Sequence, residues 1–171
     1  MTIKSTFEDC LLTGTNAMVT LTDSLKDEKF VKQVEAAVNV ICKTSGRLVI
    51  SGMGKSGIIG KKLVATFAST GTPSLFLHPA EASHGDLGML CKDDVLLLMS
   101  FSGESRELID IIRYSKRFNV PIIAFTANAN STLGKAADIL LQLPKVKESC
   151  PHNLAPTSST LIQLALGDAL A

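Results

Sequence analysis

Five short apolar runs constrain what this chain can fold into more than any other feature. They occupy residues 47–51, 74–78, 95–100, 122–126 and 139–143, each rich in Val, Ile, Leu or Phe and bounded by Gly, Pro, Asp or Asn. Runs that stay apolar, rather than alternating with polar residues, suit strands buried on both faces, as in parallel sheets. Helical spacing fills most of the gaps, at about residues 57–70 and 104–117 and in a short stretch from Ser131. Two helices come first, at about 5–22 and 27–45, the second with Phe30, Val34, Val38 and Ile41 or Cys42 on one face. A last helix starts at Thr157 or Ser158 and runs to Ala171. This β-α-β alternation predicts an α/β fold, a doubly wound parallel sheet of five strands in a three-layer α/β/α sandwich. The length of 171 residues suits one domain, with helices over 1–45 and the α/β core over 46–171. The last helix stops in mid-pattern, without a following Gly, a basic last turn or a Pro, so an excised piece of a longer protein is expected.

Composition narrows the function classes. Hydrophobic residues make up 46% and charged residues 19%, with one Tyr and no Trp, which fits an aliphatic core. Net charge is +1 with no dense Lys/Arg run, so neither nucleic acid nor an anionic membrane is expected as a partner. No apolar run is long enough to span a bilayer. Cys10, Cys42, Cys91 and Cys150 are scattered, with no C-x-x-C pair. Free thiols in a reducing cytoplasm fit that spacing better than a disulfide or zinc framework.

Two loops carry the chemistry. Gly52-Met53-Gly54-Lys55-Ser56-Gly57 follows the first strand and opens a helix, where backbone amides can approach an anion closely. Ser100-Phe101-Ser102-Gly103-Glu104-Ser105 follows the third strand and precedes another helix. In a flavodoxin-like order, 2-1-3-4-5, strands 1 and 3 are neighbours, and ligands bind outside their carboxyl ends. Both loops then flank one crevice. A third hydroxyl cluster, Thr157-Ser158-Ser159-Thr160, opens the last helix, although one hydroxyl suffices for a cap. A Walker A loop is excluded, because Val49 stands where its first Gly belongs. The dinucleotide fingerprint is met literally by Gly52, Gly54 and Gly57. It lacks the acid at the end of the second strand, where the first carboxylate is Glu81.

Taken with Glu81-Ala-Ser-His-Gly-Asp-Leu-Gly88 and Ala155-Pro-Thr-Ser-Ser-Thr160, these loops resemble the sugar isomerase (SIS) domain. More narrowly, they resemble arabinose-5-phosphate isomerases, in the expected order over residues 30–171. The resemblance implies a five-stranded sheet between helices and a homotetramer with sites near subunit interfaces. It implies interconversion of D-ribulose 5-phosphate and D-arabinose 5-phosphate, the entry to Kdo synthesis for lipopolysaccharide or capsule, with no cofactor. Most members carry two CBS domains after the SIS domain, and a second histidine in a Ser-His-Pro-Gly-Gly motif. Neither has a counterpart among these residues, so weak activity of the chain alone is the expectation.

Aldose–ketose isomerisation moves a proton between C1 and C2 through an enediol, so it needs a base, a partner for the oxyanion and a grip on the phosphate. By the resemblance, Lys55 stabilises the enediolate or phosphate charge. A lysine at a helix start is unfavourable against the dipole unless an anion is near. His84, Glu107 and Glu148 match functional positions of the family, with Glu148 the proton-shuttling base. In an extended segment, Lys145 and Lys147 point away from the side of Val146 and Glu148. The phosphate-binding set is Ser100, Ser102, Gly103 and Ser105 with Thr157, Ser158 and Thr160, joined by Ser51 and Gly52. Gly71 and Thr72 resemble sugar-contacting positions. His78 resembles a position that takes zinc in some members, here read as inhibitory or adventitious. Two rivals stay open: a sugar-phosphate-sensing SIS domain without catalysis, and a hexulose-phosphate isomerase.

Overall fold

The computed structural model describes residues 2–171. Its five strands, β1 (Leu48–Gly52), β2 (Ser74–Phe76), β3 (Val95–Met99), β4 (Ile122–Thr126) and β5 (Ile139–Gln142), are all parallel. Their order is β2-β1-β3-β4-β5, as expected from the alternation of elements. Seven helices surround the sheet: α1 (Ile3–Asp23), α2 (Glu28–Lys43), α3 (Gly54–Ser69), α4 (Pro79–Ala82), α5 (Ile109–Phe118), α6 (Thr132–Ala136) and α7 (Ser158–Leu170).

The pleat divides the core in two. Leu48, Ile50, Leu97, Met99, Ile123 and Phe125 point to one face, where α1, α2, α3 and α7 cover them with Ala17, Ala37, Leu63, Phe67 and Ile162. Val49, Leu96, Leu98, Ile122 and Ala124 point to the other, against Ala82, Leu108, Ile111 and Leu133 of the shorter helices and turns. The three central strands are buried along their whole length, which is why they read as continuous apolar runs. At the β5 edge, the Leu140 amide donates to the Gln33 side chain of α2 at 3.0 Å, so this edge is partly covered.

Two differences from the sequence reading have local causes. The gap between β2 and β3 holds α4, started by Pro79, and a 3-10 turn over Asp86–Met89; both are too short to show a helical period. The expected helix at 104–117 opens as a 3-10 turn, Arg106–Leu108, before α5.

The turn from β1 into α3 is tight. A Cβ on Gly57 would lie inside contact distance of the Gly52 carbonyl oxygen, a backbone atom that cannot swing away. Gly57→Ala is expected to cost about 1–3 kcal/mol by overpacking this turn. A denaturant titration checks it, and an unchanged midpoint would contradict the tight turn.

Candidate active site

The carboxyl ends of β1 and β3 and the start of α7 enclose a cleft of about 330 Å³. Its hydroxyl wall is Ser100, Ser102 and Ser105 from the loop after β3, with Ser56 from α3 and Ser159 and Thr160 from α7. Phe101, Val146, Leu154 and Pro156 supply the apolar part.

The loop after β3 is internally braced. Ser100 Oγ lies 2.8 Å from Ser105 Oγ and accepts from the Gly103 amide at 3.1 Å. Gly103 has φ of +74°, and a Cβ there would collide with the Ser131 side chain. Beyond it, the Glu104 carboxylate accepts from the Thr132 amide at 3.0 Å and its hydroxyl at 2.7 Å, tying the loop to α6.

Glu148 is the buried carboxylate of the cleft, 8% exposed. Its Oε2 accepts from the Thr157 amide at 2.7 Å, the Thr157 hydroxyl at 2.9 Å and the Ser159 amide at 3.2 Å. The side chain thus satisfies amides at the start of α7, where the helix dipole favours negative charge. All three bonds fall on Oε2, which leaves Oε1 for other partners. Burial pushes the Glu148 carboxyl up, but the donors from Ser159 and Thr157 outweigh it and hold the group below the usual glutamate value. The segment is held in turn by the Glu148 amide donating to Asn153 Oδ1 at 2.8 Å and the Ser149 amide donating to Thr157 Oγ1 at 2.8 Å.

The predicted residues divide into three groups. Ser100, Ser102, Ser105, Thr160 and Glu148 line the cleft together. Gly103, Thr157, Ser158, Ser51 and Gly52 support it from behind or beside. Thr157 is committed to Glu148, while the hydroxyls of Ser51 and Ser158 are buried without a partner. Gly52 is buried opposite Met99 at the end of β1. Lys55 is exposed on the first turn of α3, beside Ser56 of the cleft.

The remaining positions lie elsewhere. Gly71 and Thr72 close the carboxyl end of α3 and precede β2, at the amino-terminal edge of a parallel sheet. A position before a strand lies at the opposite end from the cleft, so within one copy these two residues do not line it. His84 and Glu107 are exposed and absent from the cleft wall, His84 after α4 and Glu107 in the 3-10 turn before α5. His78 follows β2 with its ring 6.3 Å from that of Phe76 and its Nδ1 buried without a hydrogen-bond partner. No group of three or more His, Cys, Asp or Glu side chains that could share a metal ion occurs among the described residues. The sequence reading does not assign Ser56, Ser159 or Asn153. The first two sit inside motifs already singled out, whereas nothing marks Asn153 before the 149–156 loop folds.

Comparison with known proteins names this arrangement. The SIS domain model matches residues 29–171. The chain belongs to the SIS domain family. An Escherichia coli relative, arabinose 5-phosphate isomerase KpsF, is 53% identical over 139 residues, covering 81% of this chain and 44% of that protein. Arabinose 5-phosphate isomerase KdsD of Pseudomonas aeruginosa is 52% identical over 144 residues, covering 84% and 43%. The solved structure of E. coli CFT073 c3406 in complex with arabinose 5-phosphate superposes with a TM-score of 0.89 at 35% identity, covering 99% of this chain and 89% of that one. This SIS domain therefore spans less than half the length of the curated relatives it matches. No helix of its described residues is long and apolar enough to cross a membrane.

Proposed function

We propose that this SIS domain is the catalytic part of an aldose–ketose isomerase that interconverts D-ribulose 5-phosphate and D-arabinose 5-phosphate. The observation that carries the reading is Glu148. A buried carboxylate, fixed through one oxygen with the other left over, faces a wall of hydroxyls in a cleft sized for a small ligand. Relatives more than 50% identical that are named arabinose 5-phosphate isomerases support the substrate class.

In this reading the phosphate sits against Ser102, Ser105 and Thr160, and the sugar extends toward α3. Glu148 Oε1 takes the C1 proton of the ketose, the enediol forms, and the same oxygen returns the proton to C2. Lys55, on the first turn of α3, offsets the charge that develops on the carbonyl oxygen. The proton that passes between O1 and O2 needs a second carrier, and His84 is proposed for it from a neighbouring copy. Glu107, exposed like His84, is proposed to act in the same interface region. The chain is read as working in a homotetramer with sites near subunit interfaces. Ile3, Phe7 and Leu11, exposed at i, i+4 spacing on α1, support association. A cytoplasmic place and a supply of product to Kdo synthesis for lipopolysaccharide or capsule belong to the same proposal.

The chain incubated with ribulose 5-phosphate, with and without chelator, is expected to form arabinose 5-phosphate in both cases. Turnover only of a hexulose 6-phosphate would favour the hexose reading, and saturable binding without turnover of either sugar would make the domain a sensor. Ser105→Ala is expected to raise KM about tenfold and leave kcat within about threefold, since it removes one hydroxyl from a charged ligand. Steady-state kinetics check it, and an unchanged KM would take the phosphate off this loop.

A further inference from the structure

Gln163 is fully buried in α7, and neither the nitrogen nor the oxygen of its amide has a hydrogen-bond partner. Such a group in a packed interior costs about 1–3 kcal/mol, and isolated instances call for a reason. The helix supplies the context. Side chains on a helix lean toward its amino terminus, over the residues three and four places earlier. For Gln163 these are Thr160 and Ser159, both in the cleft wall. One turn beyond Gln163, Gly167 lies so close to Leu63 of α3 that a Cβ would overlap that side chain. The Lys62–Asp168 ion pair closes the same interface further along. The amide is therefore confined between two interlocked helices, with the cleft floor as the polar surface in the direction it leans.

Ser159 has two claims on it. Its amide donates to Glu148 Oε2 at 3.2 Å. Its side chain lines the cleft, where the hydroxyl can donate to a ligand. The charged side chains on the elements around Glu148 are Lys145 and Lys147 on its own segment, Lys55 on α3, Glu104, Arg106 and Glu107 before α5, and Asp9 on α1; the lowering of Glu148 comes from hydrogen bonds that outweigh burial.

We propose that Gln163 is a positioning residue for the bound state: its amide donates to the Ser159 hydroxyl oxygen when that hydroxyl donates to an anion in the cleft. The donor has no partner within the chain and is used on binding. The Ser159 hydroxyl then donates to the ligand while accepting from Gln163, which polarises it and strengthens its bond. The inference rests on the reading of the cleft as an anion site.

Gln163→Met keeps the shape of the side chain and removes both polar atoms. The test measures the melting temperature without ligand and the Kd for inorganic phosphate, for wild type, Q163M, S159A and the double variant. The proposal expects Q163M to melt a few degrees higher than wild type and to bind phosphate about tenfold more weakly. Against S159A, the added Q163M change should have no further effect on Kd. An unchanged Kd in Q163M overturns the inference, as does a full additional loss in the S159A background. If Q163M folds poorly, Gln163→Leu gives a second apolar replacement for the same cycle, with the same two outcomes deciding the case. A wild type that binds no phosphate overturns the cleft reading itself, and the inference with it.

Discussion

Glu148→Gln is expected to lower kcat for the pentose phosphate isomerisation by about a thousandfold, within the range that a positioned general base contributes. KM should move by less than about threefold. Glutamine keeps an oxygen that can accept from the Thr157 amide and hydroxyl and the Ser159 amide, so the start of α7 stays capped. What it lacks is the second, basic oxygen. The pH profile gives an independent check. The donors at the start of α7 hold the Glu148 carboxyl below its usual range, so the base stays ionised to lower pH than an ordinary glutamate. The acid limb that Glu148 controls is then expected below about pH 4.3, and it should be absent from the residual activity of the variant. A variant with kcat within about threefold of wild type would remove Glu148 from the chemistry.

Asp94→Asn is expected to destabilise the fold by about 1–3 kcal/mol, the range for leaving a buried polar group without its hydrogen-bond partner. The Asp94 side chain is 0% exposed and lies at the amino-terminal edge of the sheet, away from the cleft. Oδ1 accepts from the Arg47 amide at 2.8 Å and Arg47 Nε at 3.2 Å, and Oδ2 from Arg47 Nη2 and the Cys91 amide, each at 2.9 Å. These bonds fix where β1 and β3, the two strands that carry the cleft loops, begin. Asparagine turns one acceptor into a donor facing the guanidinium. Burial pushes the Asp94 carboxyl up, and the Arg47 and Cys91 donors outweigh it and hold the group below its usual value. A lowered folded-state pKa gives stability that is fully present above the unfolded value, about 3.9. That stability is lost as pH falls through the folded value. The difference between wild type and D94N in chemical denaturation should therefore be full at pH 7 and shrink below about pH 4. A difference that does not change with pH would mean that the charge of Asp94 is not what stabilises this edge.

Much of the fold was legible because its strands are buried on both faces. Leu48–Ile50, Val95–Met99 and Ile122–Phe125 leave no polar alternation to mistake for a surface strand or a helix. The site was legible where extended backbone enforces a period of two. Val146 and Glu148 line the cleft while Lys145 and Lys147 stay outside its wall, as that alternation requires. The hydroxyl loop at 100–105 was readable because residues after a parallel strand in this order reach one crevice. Gly71 and Thr72 precede β2 and so lie at the other end of the sheet from this cleft within one copy. Asn153, with φ of +53°, was invisible because its bond to the Glu148 amide depends on an irregular turn without periodicity. Gln163 reads as one more polar residue on a helix until packing shows that nothing meets it.

The central claim is that the cleft beside α7 holds a pentose phosphate with Glu148 against its C1 and C2 carbons. The most direct test places the chain with arabinose 5-phosphate in deuterium oxide and follows the C2 proton by NMR. Exchange of that proton for deuterium is the predicted result, with loss of exchange but retention of sugar-phosphate binding in Glu148→Gln. Saturable binding of arabinose 5-phosphate with no exchange at C2, in wild type and variant alike, would contradict the account.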